Sequence, residues 1–108
     1  MILATEFDGG GNFAKAMARA RAAKPEVHFM FHDIKASKNY FLVKRTDKIS
    51  DYVVWIWIDP DRQKFIHCFC YLGNPPIDSK TKLPAFDPAP CTHAAALWIF
   101  VNAEKEKE

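Results

Sequence analysis

All three cysteines of this 108-residue chain fall into one construction: Cys68-Phe69-Cys70, a Pro-rich run, then Cys91-Thr92-His93. Written as C-x-C…C-x-H, it offers three thiolates and one imidazole, a donor set that a closed tetrahedral Zn²⁺ site takes. The spacing has a physical logic. Residues two apart on an extended strand point to the same side, so Cys68 and Cys70 can reach one ion. Cys91 and His93 stand where the chain turns into an Ala-rich helical segment, and its first turn can supply the other two ligands. A chain this short buries a modest share of its surface, and small folds often lean on a metal.

The arrangement resembles the SWIM zinc finger, a CxC…CxH module. The resemblance covers residues 40–101, with strand-like segments ahead of the first ligand pair and a helix rich in small residues straight after the His. Residue by residue, Cys68, Cys70, Cys91 and His93 match the family's four ligands. The resemblance implies a structural Zn²⁺ and a binding module of the kind that serves a larger assembly, with nucleic acid, DNA foremost, as partner in a mobile-element, viral or DNA-processing setting. The sequence departs from the family pattern in the long segment 71–90 between the pairs. No ATPase, transposase or kinase motif accompanies the module.

Two other readings use the same residues. Cysteine is among the most buried residue types, so the thiols can be plain core, or one of them can be a catalytic or redox group. A Cys68–Cys70 disulfide would close an awkwardly small ring, and an odd count leaves a thiol over. Met1-Ile2-Leu3-Ala4 lacks the basic start and apolar segment of a signal peptide. A reducing, intracellular compartment, cytoplasmic or nuclear, is the expectation, and there metal binding is favoured over disulfides.

At 49% apolar and 14% aromatic residues the chain has the composition of a packed domain rather than a disordered one. No apolar run approaches the eighteen or so residues of a membrane span, so no membrane partner is expected. Net charge is only +2, but residues 12–50 hold nine Lys/Arg against three acids. A basic half suits a polyanionic partner. It is also what many solvated faces look like.

Residues 1–11 end in Asp8-Gly9-Gly10-Gly11 and read as a flexible lead-in. Asn12 is a suitable N-cap for a helix over 13–24 that Pro25 stops. Phe13, Ala16, Met17 and Ala20 form its core-facing stripe at helical spacing, leaving Lys15, Arg19, Arg21 and Lys24 on the surface. That surface reads either as a phosphate-contacting face or as an ordinary amphipathic exterior. Residues 27–34 read as a strand; His28 and His32, four apart, are too distant to share one ion and read as surface histidines. This unpaired edge leaves a homodimer open. Residues 39–45 form a second strand, with Lys44 and Arg45 at its end. Residues 52–58, Tyr-Val-Val-Trp-Ile-Trp-Ile, read as a central strand apolar on both faces. Trp55 and Trp57 are expected as core anchors under the zinc helix, the alternative being a base-stacking platform. After a tight reversal at 59–63, residues 64–70 return and deliver the first ligand pair. The segment 71–90 holds five prolines and no clear periodicity. Lys80 and Lys82 offer it two charges for a ligand, and a loop this long is ordinarily functional or mobile. A helix over 92–103 follows, and residues 104–108 form a charged tail.

Catalytic signatures are missing: no HExxH, GxSxG, GxxxxGK[ST] or GxGxxG occurs. Four protein ligands also close a metal's coordination. The expectation is an α+β domain over 12–103: an N-terminal helix, a small antiparallel sheet of about four strands and a zinc-anchored C-terminal helix. Its expected role is zinc-stabilised nucleic-acid binding rather than catalysis, through Lys15, Arg19, Arg21, Lys24, Lys44, Arg45, Lys80 and Lys82. The alternative is a protein-interaction adaptor that uses the Pro-rich loop or an aromatic surface.

Overall fold

The computed structural model describes residues 2–45, 52–60, 65–70, 75–85 and 89–106. Five strands form one antiparallel sheet in the order β1-β5-β4-β3-β2. They are β1 (Ile2–Leu3), β2 (Glu26–Asp33), β3 (Lys38–Arg45), β4 (Tyr52–Ile58) and β5 (Phe65–Cys68). Helix α1 (Asn12–Ala23) lies between β1 and β2 in sequence, and α2 (Thr92–Glu106) ends the described chain. The fold is therefore α+β, as the sequence patterning predicts.

Strand alternation decides which side of the sheet is covered. Val54, Ile56 and Ile58 of β4 are buried together with Phe41, Val43, Ile66 and Cys68, and their register partners lie on the same face. Helix α2 packs on this inner face against β2 to β5, and α1 packs against α2. Each residue from Cys91 to Trp98 is buried, as expected of a helix that is apolar nearly all round and sits between two layers. The stripe of α1 behaves as its spacing predicts, with Ala16, Met17 and Ala20 buried.

Five sequence expectations are corrected. First, residues 1–11 are not a lead-in. Ile2 and Leu3 pair with Ile66 and Phe65, and a 3₁₀ turn over Ala4–Asp8 buries Ala4 and Phe7. Asp8 Oδ1 accepts a hydrogen bond from Trp98 Nε1 at 3.0 Å, which ties this segment to α2. The apolar residues at 2, 4 and 7 outweigh the glycines that follow. Second, Asn12 is the first helical residue and Gly11, at φ 66°, is the cap, a conformation that suits glycine. Third, α2 runs through Glu106 rather than stopping at Ala103.

Fourth, Trp55 and Trp57 do not lie under the helix. With Val54, Ile56 and Ile58 facing inward, the period of two sends Val53, Trp55 and Trp57 to the other side. Trp55 is 43% exposed, and Trp57 is 8% exposed with Lys38 and His67 against its ring. Fifth, part of the 71–90 segment is ordered as a small hairpin. Ile77 bridges Pro84, and Asp78 N–H donates to Leu83 O at 2.9 Å while Ala85 N–H donates to Pro76 O at 2.9 Å.

Among the described residues, Asp59 brackets the β4–β5 connection. Asp59 accepts from Phe65 N–H through Oδ1 at 2.6 Å and donates its own N–H to Phe65 O at 3.3 Å. The expected turn over 46–48 and the rest of the 59–63 reversal, residues 61–63, lie outside the described residues. Strand β2 is a sheet edge, and its pairing with β3 shifts register between Phe29 and Phe31. Such a bulge blunts an edge against further pairing.

Candidate metal centre

Two pieces of local structure build the centre. Cys68 ends β5 opposite Ile56, and Phe69 N–H donates to Trp55 O at 3.1 Å. That bond carries the extended conformation one residue further, so Cys70 returns to the face of Cys68 while Phe69 points away. Both cysteines are buried and Phe69 is 46% exposed. The second pair opens α2. Cys91 occupies the N-cap position: Ala95 N–H donates to its carbonyl at 3.1 Å, and Ala94 N–H donates to its Sγ at 3.3 Å. The sulfur thereby takes the place of a Ser or Asn cap oxygen. His93 follows two residues later, inside the first turn.

The four donor atoms lie within 4.8 Å of one another, and all four residues are buried. None of the three cysteines is in a disulfide. Such a cluster of three thiols and an imidazole can hold a metal ion. Without a cation Cys68 and Cys91 keep their protons. Hydrogen bonding with Cys70 and Cys91, together with burial, raises the pKa of Cys68. For Cys91, the hydrogen bond with Cys68 acts downward, but hydrogen bonding with Cys70 and burial prevail, and the thiol is pushed up to about 11. A bound cation inverts this balance, because it deprotonates the thiols that ligate it. The Ala94 N–H on Cys91 Sγ already favours the thiolate.

Arg19 supports the centre from outside. Its Nε donates to Thr92 Oγ1 at 3.3 Å, joining α1 to the residue between the two α2 donors. From the sequence Arg19 reads as a surface cation available to nucleic acid; the pairing with Thr92 spans residues 73 apart in the chain, and no local pattern signals it. His28 and His32 stay outside the cluster, as expected. His28 Nε2 pairs with Glu26 Oε2 at 3.5 Å, and His32 Nδ1 donates to Asn39 Oδ1 at 2.7 Å.

The eight basic residues do not form one patch. Lys15, Arg19, Arg21 and Lys24 are exposed on α1 or at its end, and Arg19 and Arg45 line one shallow cavity with Ala22 and Ala23. Lys44 pairs in register with Val53 on the outer face of the sheet. Lys80 and Lys82 sit on the exposed hairpin, with Lys80 N–H bound to Asp78 Oδ1 at 2.8 Å.

No family model, curated protein or solved structure matches this chain. Among the described residues no helix is long and apolar enough to cross a membrane.

Proposed function

We propose that the cluster holds a structural Zn²⁺ and that the chain is a SWIM-like, zinc-stabilised module that binds nucleic acid, DNA foremost. The observation that carries this reading is the convergence of all three cysteines and His93 in one buried cluster. Sulfur-rich tetrahedral donor sets select zinc or iron–sulfur chemistry, and an imidazole among three thiolates suits zinc. Zinc–sulfur bonds of about 2.3 Å put tetrahedral sulfurs about 3.8 Å apart. Donors already within 4.8 Å therefore need to close by only about 1 Å, a side-chain adjustment. Four protein ligands leave no coordination position for a reacting water, so the zinc holds the fold and does not catalyse.

The nucleic-acid part rests on α1, whose sequence NFAKAMARARAA contains three cations and no acid. Elemental analysis of untagged protein purified without chelators tests the metal: one zinc per chain is expected, with loss in Cys91→Ser. Absence of metal from a folded protein with three reactive thiols would dismiss the zinc reading. Anisotropy titrations with DNA over a salt series test the partner. Phosphate contacts make log K fall linearly with log salt, by about 0.9 per contact. Failure to bind DNA, with salt-insensitive capture of a protein instead, would make the chain an adaptor.

A further inference from the structure

The sheet face turned away from the helices carries a feature that the metal centre does not explain. Its rings are large and close to one another, and Phe31, Trp55 and Phe69 are about half exposed. Phe31 and Tyr40 stack with centroids 4.8 Å apart at 17°, and Trp55 meets them edge-on at 6.2 and 6.4 Å. Along the neighbouring strands Trp57 stacks on His67 at 5.6 Å, and Phe69 stands against His67 at 4.6 Å. Phe31 remains 47% exposed and Trp55 43%. Among the described residues both helices pack on the opposite side, so no described element covers this one. An apolar face of this kind on a small domain marks an interaction site.

We propose that this outer face is a stacking platform for single-stranded nucleic acid. The proposal deepens the nucleic-acid reading above by naming the form of the partner and the place where it lies. Charge selects the occupant. The outward positions of β3 are Lys38, Tyr40, Leu42 and Lys44, those of β4 include Val53, Trp55 and Trp57, and those of β5 are Phe65 and His67, with Phe69 just after the strand. Cations are interleaved with rings on these strands, and the acids of this face stand at its β2 edge, Glu26 opposite Lys44 and Asp33 opposite Lys38. Lys38 Nζ stands 4.3 Å over the Trp57 ring. Both acids have partners at that edge: Glu26 pairs with His28, and Asp33 Oδ1 accepts Ala36 N–H at 3.1 Å.

A sugar-binding platform needs carboxylates or amides beside its rings to take hydroxyls; the outward positions of β3 to β5 supply none, and the two carboxylates of the face lie at its β2 edge, opposite lysines. A duplex hides its base faces and offers exposed rings nothing to stack on. A single strand offers both phosphates for the lysines and base faces for the rings, whatever its sequence. Outward residues on a strand recur about every 7 Å, which gives each ring room for one unstacked base. The α1 cations lie on the helical side, so the platform and the basic helix are separate surfaces and can be tested separately.

The experiment uses the zinc-loaded full chain with labelled oligo-dT and a duplex of equal length, read by anisotropy and by tryptophan fluorescence. Oligo-dT is expected to bind more tightly than duplex and to quench the tryptophans. Trp55→Ala should weaken oligo-dT binding about 10-fold or more, since base–aromatic stacking contributes about 1–3 kcal/mol per base. Trp55→Phe should retain most of the affinity, and Phe31→Ser gives an independent variant at a second exposed ring. Paired Lys15→Ala and Arg21→Ala changes should alter oligo-dT binding only a few-fold. If both ring variants bind like wild type while the α1 variants lose binding, the platform is wrong and the nucleic-acid reading stands. Absence of binding to either oligonucleotide, with zinc bound, overturns both. Self-association abolished by Trp55→Ala would assign the face to a second copy and also overturn the proposal.

Discussion

Cys91 serves two purposes that substitution can separate. Its sulfur is a proposed ligand, and the same atom caps α2 by accepting Ala94 N–H at 3.3 Å. Serine keeps a cap and loses the thiolate; alanine loses both. In metal-free protein, Cys91→Ala should therefore be less stable than Cys91→Ser by about 1 kcal/mol, the usual effect of an N-cap. In the presence of zinc the contrast is with wild type. Zinc at a thousandfold excess over its dissociation constant stabilises the native state by about 4 kcal/mol, and structural sites in finger-sized units reach on the order of 10 kcal/mol of apparent binding energy. At about 4 °C per kcal/mol for a domain near this size, wild type should melt at least about 15 °C higher with zinc than with chelator. Both variants should lose most of that gain. Thermal melts followed by circular dichroism, with one equivalent of zinc and then with chelator, read all six states. Wild type and Cys91→Ser melting within a degree or two of each other in zinc would refute the reasoning, whatever the order of the metal-free forms.

Three further outcomes follow from the geometry. Because the folded metal-free protein holds Cys91 protonated up to about 11, while thiols of the unfolded chain ionise near 8.5, metal-free stability should be full below that lower value and fall as pH rises through the window between them. Ligand deprotonation on zinc binding should instead widen the gap between loaded and metal-free forms from mildly acidic to neutral pH; urea melts across pH distinguish the two trends. Arg19→Ala removes the bond to Thr92 and should cost about 1–2 kcal/mol, whereas Arg21→Ala, at an exposed site, should stay within about 0.5 kcal/mol in the same melts. Phe7, 2% exposed and edge-on to Phe13 at 5.1 Å, should cost about 3–5 kcal/mol as Phe7→Ala in chemical denaturation, an effect a flexible lead-in would not show.

The parts of this molecule legible in its sequence are those set by short-range periodicity. The α1 stripe, the β4 run and the two-residue spacing of Cys68 and Cys70 each follow from where side chains must point. The four-donor cluster was legible because a metal site concentrates rare residue types. What escaped depends on partners distant in the chain. A strand apolar on both faces, such as Val53 to Ile58, does not say which face a helix will cover, and the tryptophans were assigned to the wrong side. The alternation Lys38-Tyr40-Leu42-Lys44 was the available clue, since lysines at that period mark a face open to water. At the N-terminus three glycines suggested looseness, but Ile2, Ala4 and Phe7 find their partners on β5 and against the helices.

The metal centre also shapes how this protein can vary. A metal ion held there would join residues 68–70 to 91–93, so that the chain between them, including the exposed hairpin around Ile77 and Pro84, would be clasped at its base. The entropy of closing a loop grows only with the logarithm of its length, about 0.6 kcal/mol per doubling. A clasp held by metal–ligand bonds absorbs that difference easily. The segment is thus a place where extra residues, or a whole inserted domain, should leave the sheet and helices intact, and it gives this small fold a ready point of elaboration.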